Sequence, residues 1–417
     1  MKQTHRFARD LACVGLIAGT LSLWGCGSAS TYDPITPTRI VAFGDALVDV
    51  GQTGRTVTVK DSTGTDITFP YRFTINTGTA TNTSSTFIES LASYFGFASV
   101  TYPTTTTALP STGAYSYGEF GALVSGAAGT KDARGCIKDT ASATTAYCAY
   151  NLQAQIDLFL AKGTPKSDDL FVISIGTGDI MATGIQGTTA TPYDGFDDLR
   201  TLLGGTLTAT QINARMQTAA DALAAQIKRL TDAGAKYVLI VGPPNVGRSP
   251  WAAETGDATA TLLKNLSYNT GSGVTSMGSE GLARIQATFG NKTNNPVLFV
   301  EISGLVNTFT SDNTTYANRS SAICASTTAI TVGGVTTTIS STTTDTAKSN
   351  GTGLKPAAAV GAVPAGRLSA ALCTLNTVGT NNPGTFVYAD GVNFTPSMQS
   401  QFYSQALARM RLAAWIN

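Results

Sequence analysis

The chain has 417 residues, 42% of them hydrophobic and 13% charged, enough to bury a large core. Its 27 Lys and Arg against 26 Asp and Glu give a net charge of +1. That balance supplies no basic field and excludes nucleic acid as the expected partner. The abundance of Thr, Ser, Gly and Ala suits an exported protein.

Lys2, Arg6 and Arg9 form a positive amino-terminal region, and Leu11 to Cys26, "LACVGLIAGTLSLWGC", is apolar but short for a membrane span. Its end, Leu23-Trp24-Gly25-Cys26, resembles a bacterial lipobox. Trp24 stands where a small residue is usual, and Asp10 interrupts the basic region. The expectation is a signal peptide over residues 1–25 and a lipid on Cys26. This implies an exported periplasmic or outer-membrane lipoprotein held on a membrane, with plain secretion as the alternative. Cleavage would move the net charge from +1 to −1, by removing Lys2, Arg6, Arg9 and Asp10. It would also remove His5, the chain's one histidine. Cys136, Cys148, Cys324 and Cys373 then form an even set, read as disulfides in an exported chain. Three pairings are possible; Cys136–Cys148 and Cys324–Cys373 are the local choice. Metal-ligand spacing is absent, so no metal and no cofactor are expected.

Residues 27–38 read as a tether. Apolar runs at Arg39–Phe43, Leu170–Ile175, Lys236–Val241 and Val297–Ile302 predict short strands buried on both faces. "STFIESLASYFG" and "NLQAQIDLFLAKG" are helix candidates. The clearest helix is "TQINARMQTAADALAAQIKRLTDAG". Ile212, Met216, Leu223, Ile227 and Leu230 share one face, Thr210 is placed to cap the start, and Gly234 ends it. A carboxy-terminal helix opens with Thr395 as cap and Pro396 at its first position. Residues 101–118 read as a Thr/Pro-rich loop, and the tyrosines of "GAYSYGEF" either line a cleft or, as the leading reading, pack on the core. Residues 326–366 read as a Thr-rich insertion whose first half could form a hairpin around Gly333-Gly334. Strands alternating with helices predict a parallel sheet covered on both faces, with ligands beyond the carboxyl ends of the strands.

The turns after those strands carry a resemblance. "FGDALVDVG", Phe43 to Gly51, resembles the first block of the GDSL (SGNH) lipase and esterase family, FGDS-L-x-D-x-G. "ALVSGAAG" resembles the block that carries an oxyanion-hole glycine, here Gly126. "LFVISIGTGDI" resembles the block containing G-x-N-D, and "FVYADGVNFTP" the D-x-x-H block. The match runs in order from about residue 39 to the end. It implies a three-layer α/β/α sandwich with a mainly parallel sheet of about five strands, spanning residues 39–417.

Family members attack an ester with a serine activated by a histidine, which an aspartate orients. Hydrogen-bond donors, one of them an asparagine, stabilise the oxyanion. Carried over by position, the serine is Ala46, the asparagine Gly178 and the histidine Asn393. Asp390 and Gly126 remain. The flanking Asp45, Asp49 and Asp179 read as turn and cap residues or, in a sharper reading, as a carboxylate cluster. Ser125 has no activating base in its block and reads as a small packing residue. The expected function is an inactive pseudo-hydrolase that binds a ligand, with an acyl or glycan ester as the class the old cleft implies, or acts as an envelope-interaction module. The alternative is an ester hydrolase with a rebuilt, histidine-free site.

Overall fold

In a computed structural model the described residues are 34–51, 56–60, 66–70, 72–77, 85–103, 108–124, 126, 131–138, 146–187, 205–254, 256–268, 273–290, 296–311, 314–324, 330–332, 335–337, 370, 375, 378 and 381–417. The central sheet holds six parallel strands. In chain order they are β1 (Arg39–Gly44), β4 (Val100–Thr101), β5 (Gly113–Ser116), β8 (Asp169–Ser174), β9 (Tyr237–Val241) and β10 (Val297–Val300). Across the sheet the order is β10-β9-β8-β1-β5-β4.

The apolar runs follow from burial on both faces. Val41, Phe43, Phe171, Ile173, Val238 and Ile240 enter one core layer, while Ile40, Ala42, Leu170, Val172, Leu239 and Val241 enter the other. Successive strand residues point to opposite faces, so two covered faces require apolar residues at every position. The first layer is closed by α2 (Leu152–Leu160), α3 (Thr177–Gln186), α4 (Ala209–Asp232), α6 (Asp257–Ser267) and α7 (Met277–Phe289). The second is closed by α1 (Phe87–Tyr94), α8 (Ser303–Ser311) and α9 (Pro396–Leu412). The short α5 (Pro250–Glu254) precedes α6. The result is a three-layer α/β/α sandwich. At the amino end of the sheet Arg39 and Asp169 form a buried ion pair at 2.5 Å, tying β1 to β8.

Helix starts follow local chemistry. Thr86 and Glu89 form a reciprocal capping box on α1, Asn151 caps α2, and Thr395 caps α9 with Pro396 inside it. On α4 the expected cap Thr210 is corrected to Thr208, whose hydroxyl accepts the Gln211 N–H while Gln211 reaches back. The five expected apolar residues of that helix are all buried, and Gly234, at φ 113°, follows its end.

Three further expectations change. The sheet has six strands rather than about five. Residues 101–118 are not only a loop: they supply part of β4 and all of β5, which pairs directly with β1. A four-residue strand with Gly and Ser at its ends carries too little apolar signal to stand out from the surrounding Thr and Pro. Finally, the folded body begins before residue 39. Ile35 is buried, and its N–H donates to the Trp415 carbonyl at 2.6 Å, so the folded body begins there.

Smaller pairs decorate the sandwich. β2 (Thr56–Lys60) pairs with β3 (Asp66–Pro70), and β6 (Lys131–Lys138) with β7 (Ala146–Tyr150), both antiparallel. β12 (Ile330–Val332) and β13 (Val335–Thr337) form the expected hairpin about Gly333-Gly334. β11 (Asn318–Ala322) runs parallel to β14 (Phe386–Tyr388), outside the main sheet.

Candidate functional site

The turn after β1 is built by close backbone approach. Gly44 has φ 136°, and a Cβ there would collide with the Ser174 carbonyl, so only glycine fits. Its backbone is clasped by Gln155 of α2, whose Oε1 accepts the Gly44 N–H at 2.7 Å. The same side chain's Nε2 donates to the Gly44 carbonyl at 3.0 Å and the Tyr150 carbonyl at 2.9 Å. The Asp45 N–H then donates to Ser174 O at 2.8 Å, which lays the β1 turn beside the β8 turn.

Asp45 is buried, and its Oδ2 accepts the Thr177 N–H at 3.2 Å, in the first turn of α3. Burial pushes its carboxyl up to about 7; the hydrogen bonds from Thr177 oppose this, and the neighbouring Asp179 charge adds to it. The next residue, Ala46, is partly exposed and packs its methyl on the α2–α4 core layer. Asp49 does turn work: its Oδ1 accepts the Gly51 N–H at 2.7 Å and its Oδ2 the Phe120 N–H at 2.7 Å.

The β8 turn enters α3 through Gly176 at φ 118°. Gly178 is buried in the first turn of the helix. A Cβ at this position would lie 2.6 Å from the Ala122 carbonyl oxygen and 3.1 Å from Leu123 Cδ2. The volume an asparagine needs is therefore taken by the neighbouring loop. Asp179 holds that loop in place, its Oδ2 accepting the Val124 N–H at 2.8 Å. Asp179 and Gly126 also line a cavity of about 530 Å³ with Leu123, Ala182, Leu207 and Met216, and Gln211, Arg215 and Thr218 line it from α4. Arg215 is bonded to Gln186.

The Asp390 turn is bound to itself. Asp390 Oδ1 accepts the Val392 and Asn393 N–H groups at 2.9 and 2.7 Å. Its Oδ2 accepts Ala370 N–H at 2.8 Å and Asn393 Nδ2 at 2.9 Å. Burial pushes this carboxyl up too, against those bonds. Asn393 thus takes from Asp390 the bond that an oriented imidazole would take, but an amide cannot accept and return a proton near neutral pH.

The structure therefore brings Asp45, Gly178, Asp179 and Gly126 to one edge of the sheet, around the first turn of α3. It pairs Asp390 with Asn393 in a separate turn after β14. Asp45, Asp49, Asp179 and Asp390 are bonded mainly to backbone N–H groups of different turns, and the Asp179 charge acts on Asp45. Among the described residues no group of three or more His, Cys, Asp or Glu side chains is placed to hold a metal. Cys136 and Cys148 are directly opposite in the β6–β7 register. Cys324 is buried and disulfide-bonded. Cys26, Cys373 and Ser125 lie outside the described residues.

Sequence reasoning missed Gln155 and the closure of the Gly178 position. The signal for Gln155 was present, since it falls among the apolar positions of α2 that face the core. No sequence signal reports where the Ala122 carbonyl comes to rest. The chain matches no protein-family model, and no curated protein matches it.

Proposed function

We propose that this chain is an exported SGNH/GDSL-type scaffold that has lost ester hydrolysis and serves as a lipid-anchored binding module of a bacterial envelope. The observation that carries the reading is the state of three positions at once. Ala46 has no nucleophile, the Gly178 position has no room for an oxyanion-donating side chain, and Asn393 spends its amide on Asp390. Serine hydrolysis needs all three functions, and a missing oxyanion donor alone costs about 100- to 1000-fold in rate. The retained cavity beside Gly126 and Asp179, with its apolar floor, is where an acyl or glycan ester would bind. The proposed lipid sits on Cys26.

One observation favours a second reading. Asp45, with its carboxyl at about 7, has the proton affinity of a general base at neutral pH. It is buried and bonded to Thr177, however, so a substrate would have to open the turn to reach it.

The purified protein should turn over no short p-nitrophenyl ester and take no label from a fluorophosphonate probe. Ester turnover that disappears in Asp45→Asn would replace the binding reading with the histidine-free hydrolase.

A further inference from the structure

Among the described residues, three large hydrophobic side chains are exposed: Tyr94, Leu375 and Leu412. Two of them lie at helix ends that Arg411 links. Leu412, at the end of α9, is 80% exposed, and Tyr94, at the end of α1, is 38% exposed. Arg411 lies over the Tyr94 ring, with its Cζ 5.9 Å from the centroid. Tyr403 is within electrostatic reach of both Tyr94 and Arg411, and Arg409 is exposed on the same last turns of α9. Aromatic rings with a polar tip, an exposed leucine and arginines on flexible stems are the side chains that settle at a lipid–water interface.

The position of this patch singles out an occupant. The chain enters the folded body at Ile35, whose N–H is bonded to Trp415, three residues beyond Leu412. Residues 27–34 separate Cys26 from that point, and fully extended they reach at most about 29 Å. A compact chain of this length has a radius of gyration of about 22 Å, so such a tether cannot swing to its far side. A lipid on Cys26 therefore keeps the α9 end of the sandwich within about 29 Å of the bilayer.

We propose that the Tyr94–Arg411–Leu412 patch docks on the surface of the membrane that carries the anchor, fixing the orientation of the protein. The patch lies at the amino end of the sheet, where β1 begins and where Tyr237 at the start of β9 packs on Trp415 at 5.2 Å. The Asp179 cavity lies at the opposite, carboxyl edge. The docked protein consequently presents that cavity away from its own bilayer, to ligands arriving through the aqueous side. This proposal rests on the lipid-anchor reading, and the test separates the two.

Full-length protein is reconstituted in vesicles of phosphatidylethanolamine and phosphatidylglycerol, with or without bromine on the acyl chains. Leu412→Trp reports on the patch, and Gln217→Trp, exposed on α4 in the other layer, reports on the far side. Bromolipid should quench the added emission at 412 by about twofold or more and leave that at 217 within about a tenth of its value, because interfacial burial is only about 5–10 Å deep. Adding Arg411→Glu should reduce the quenching at 412 by about half or more. Protein that does not float with vesicles overturns both the anchor and the docking. Protein that floats, but whose residue 412 is quenched no more than 217 or is indifferent to Arg411→Glu, overturns the docking alone.

Discussion

Asp45→Asn tests whether the turn after β1 buries a carboxyl in its neutral form. The Asp45 carboxyl lies at about 7 in the folded protein against an ordinary 3.8. At about 1.4 kcal/mol per pH decade, ionising it in the folded state costs about 4 kcal/mol more than in the unfolded chain. The folded value is the higher one, so folding takes up a proton between the two values. The stabilisation is complete below about pH 4, is lost as pH rises toward 7, and is flat above it. Asparagine keeps an oxygen to accept the Thr177 N–H and has no proton to lose. Urea unfolding of wild type and Asp45→Asn, followed by tryptophan fluorescence from pH 4.5 to 8, gives the difference directly. Glu89, Glu301 and Asp390 are also pushed up by burial, but their contributions are common to both proteins and cancel. The variant should be more stable at pH 8, by an amount approaching 4 kcal/mol, and the gap should close toward pH 4.5. Parallel stability curves would refute the reasoning, because they would mean that Asp45 ionises in the fold as easily as in water.

Three further substitutions probe the site. Gly178→Asn should lower stability by about 1–3 kcal/mol in a thermal melt, because its Cβ meets the Ala122 carbonyl, and Ala46→Ser/Gly178→Asn/Asn393→His should therefore gain no measurable esterase activity. Gln155→Ala should cost about 1–3 kcal/mol in urea unfolding, since it leaves the buried Gly44 N–H without its acceptor and removes the donor to the Tyr150 carbonyl, while the Gly44 carbonyl keeps the Glu119 N–H. Asp390→Ala should cost about 3 kcal/mol, as three backbone N–H groups lose their acceptor, and Asp390→Asn should recover part of that.

Much of this fold is legible in the order of residues. A strand covered on both faces must be apolar at every position, and β1, β8, β9 and β10 announce themselves that way. The caps at Thr86, Asn151 and Thr395 are legible because capping is a contact between residues three apart. β5 was hidden, since its place beside β1 depends on pairing with a distant segment rather than on its own composition.

The site divides in the same way. That position 46 has no hydroxyl and position 393 no imidazole is a property of the side chains themselves, and no folding alters it. What the aspartates do was decided only in three dimensions. Asp45, Asp49, Asp179 and Asp390 are alike in sequence and all four are buried, yet Asp45 bonds to the first turn of α3 and feels the Asp179 charge, while Asp49 and Asp390 close their own turns. Electrostatics depends on the distance to water and to other charges, and those distances are fixed by packing between segments far apart in the chain. The same holds for Gly178: the sequence shows only a residue without a side chain, and the fold alone puts the carbonyl of Ala122 within 2.6 Å of where a Cβ would lie.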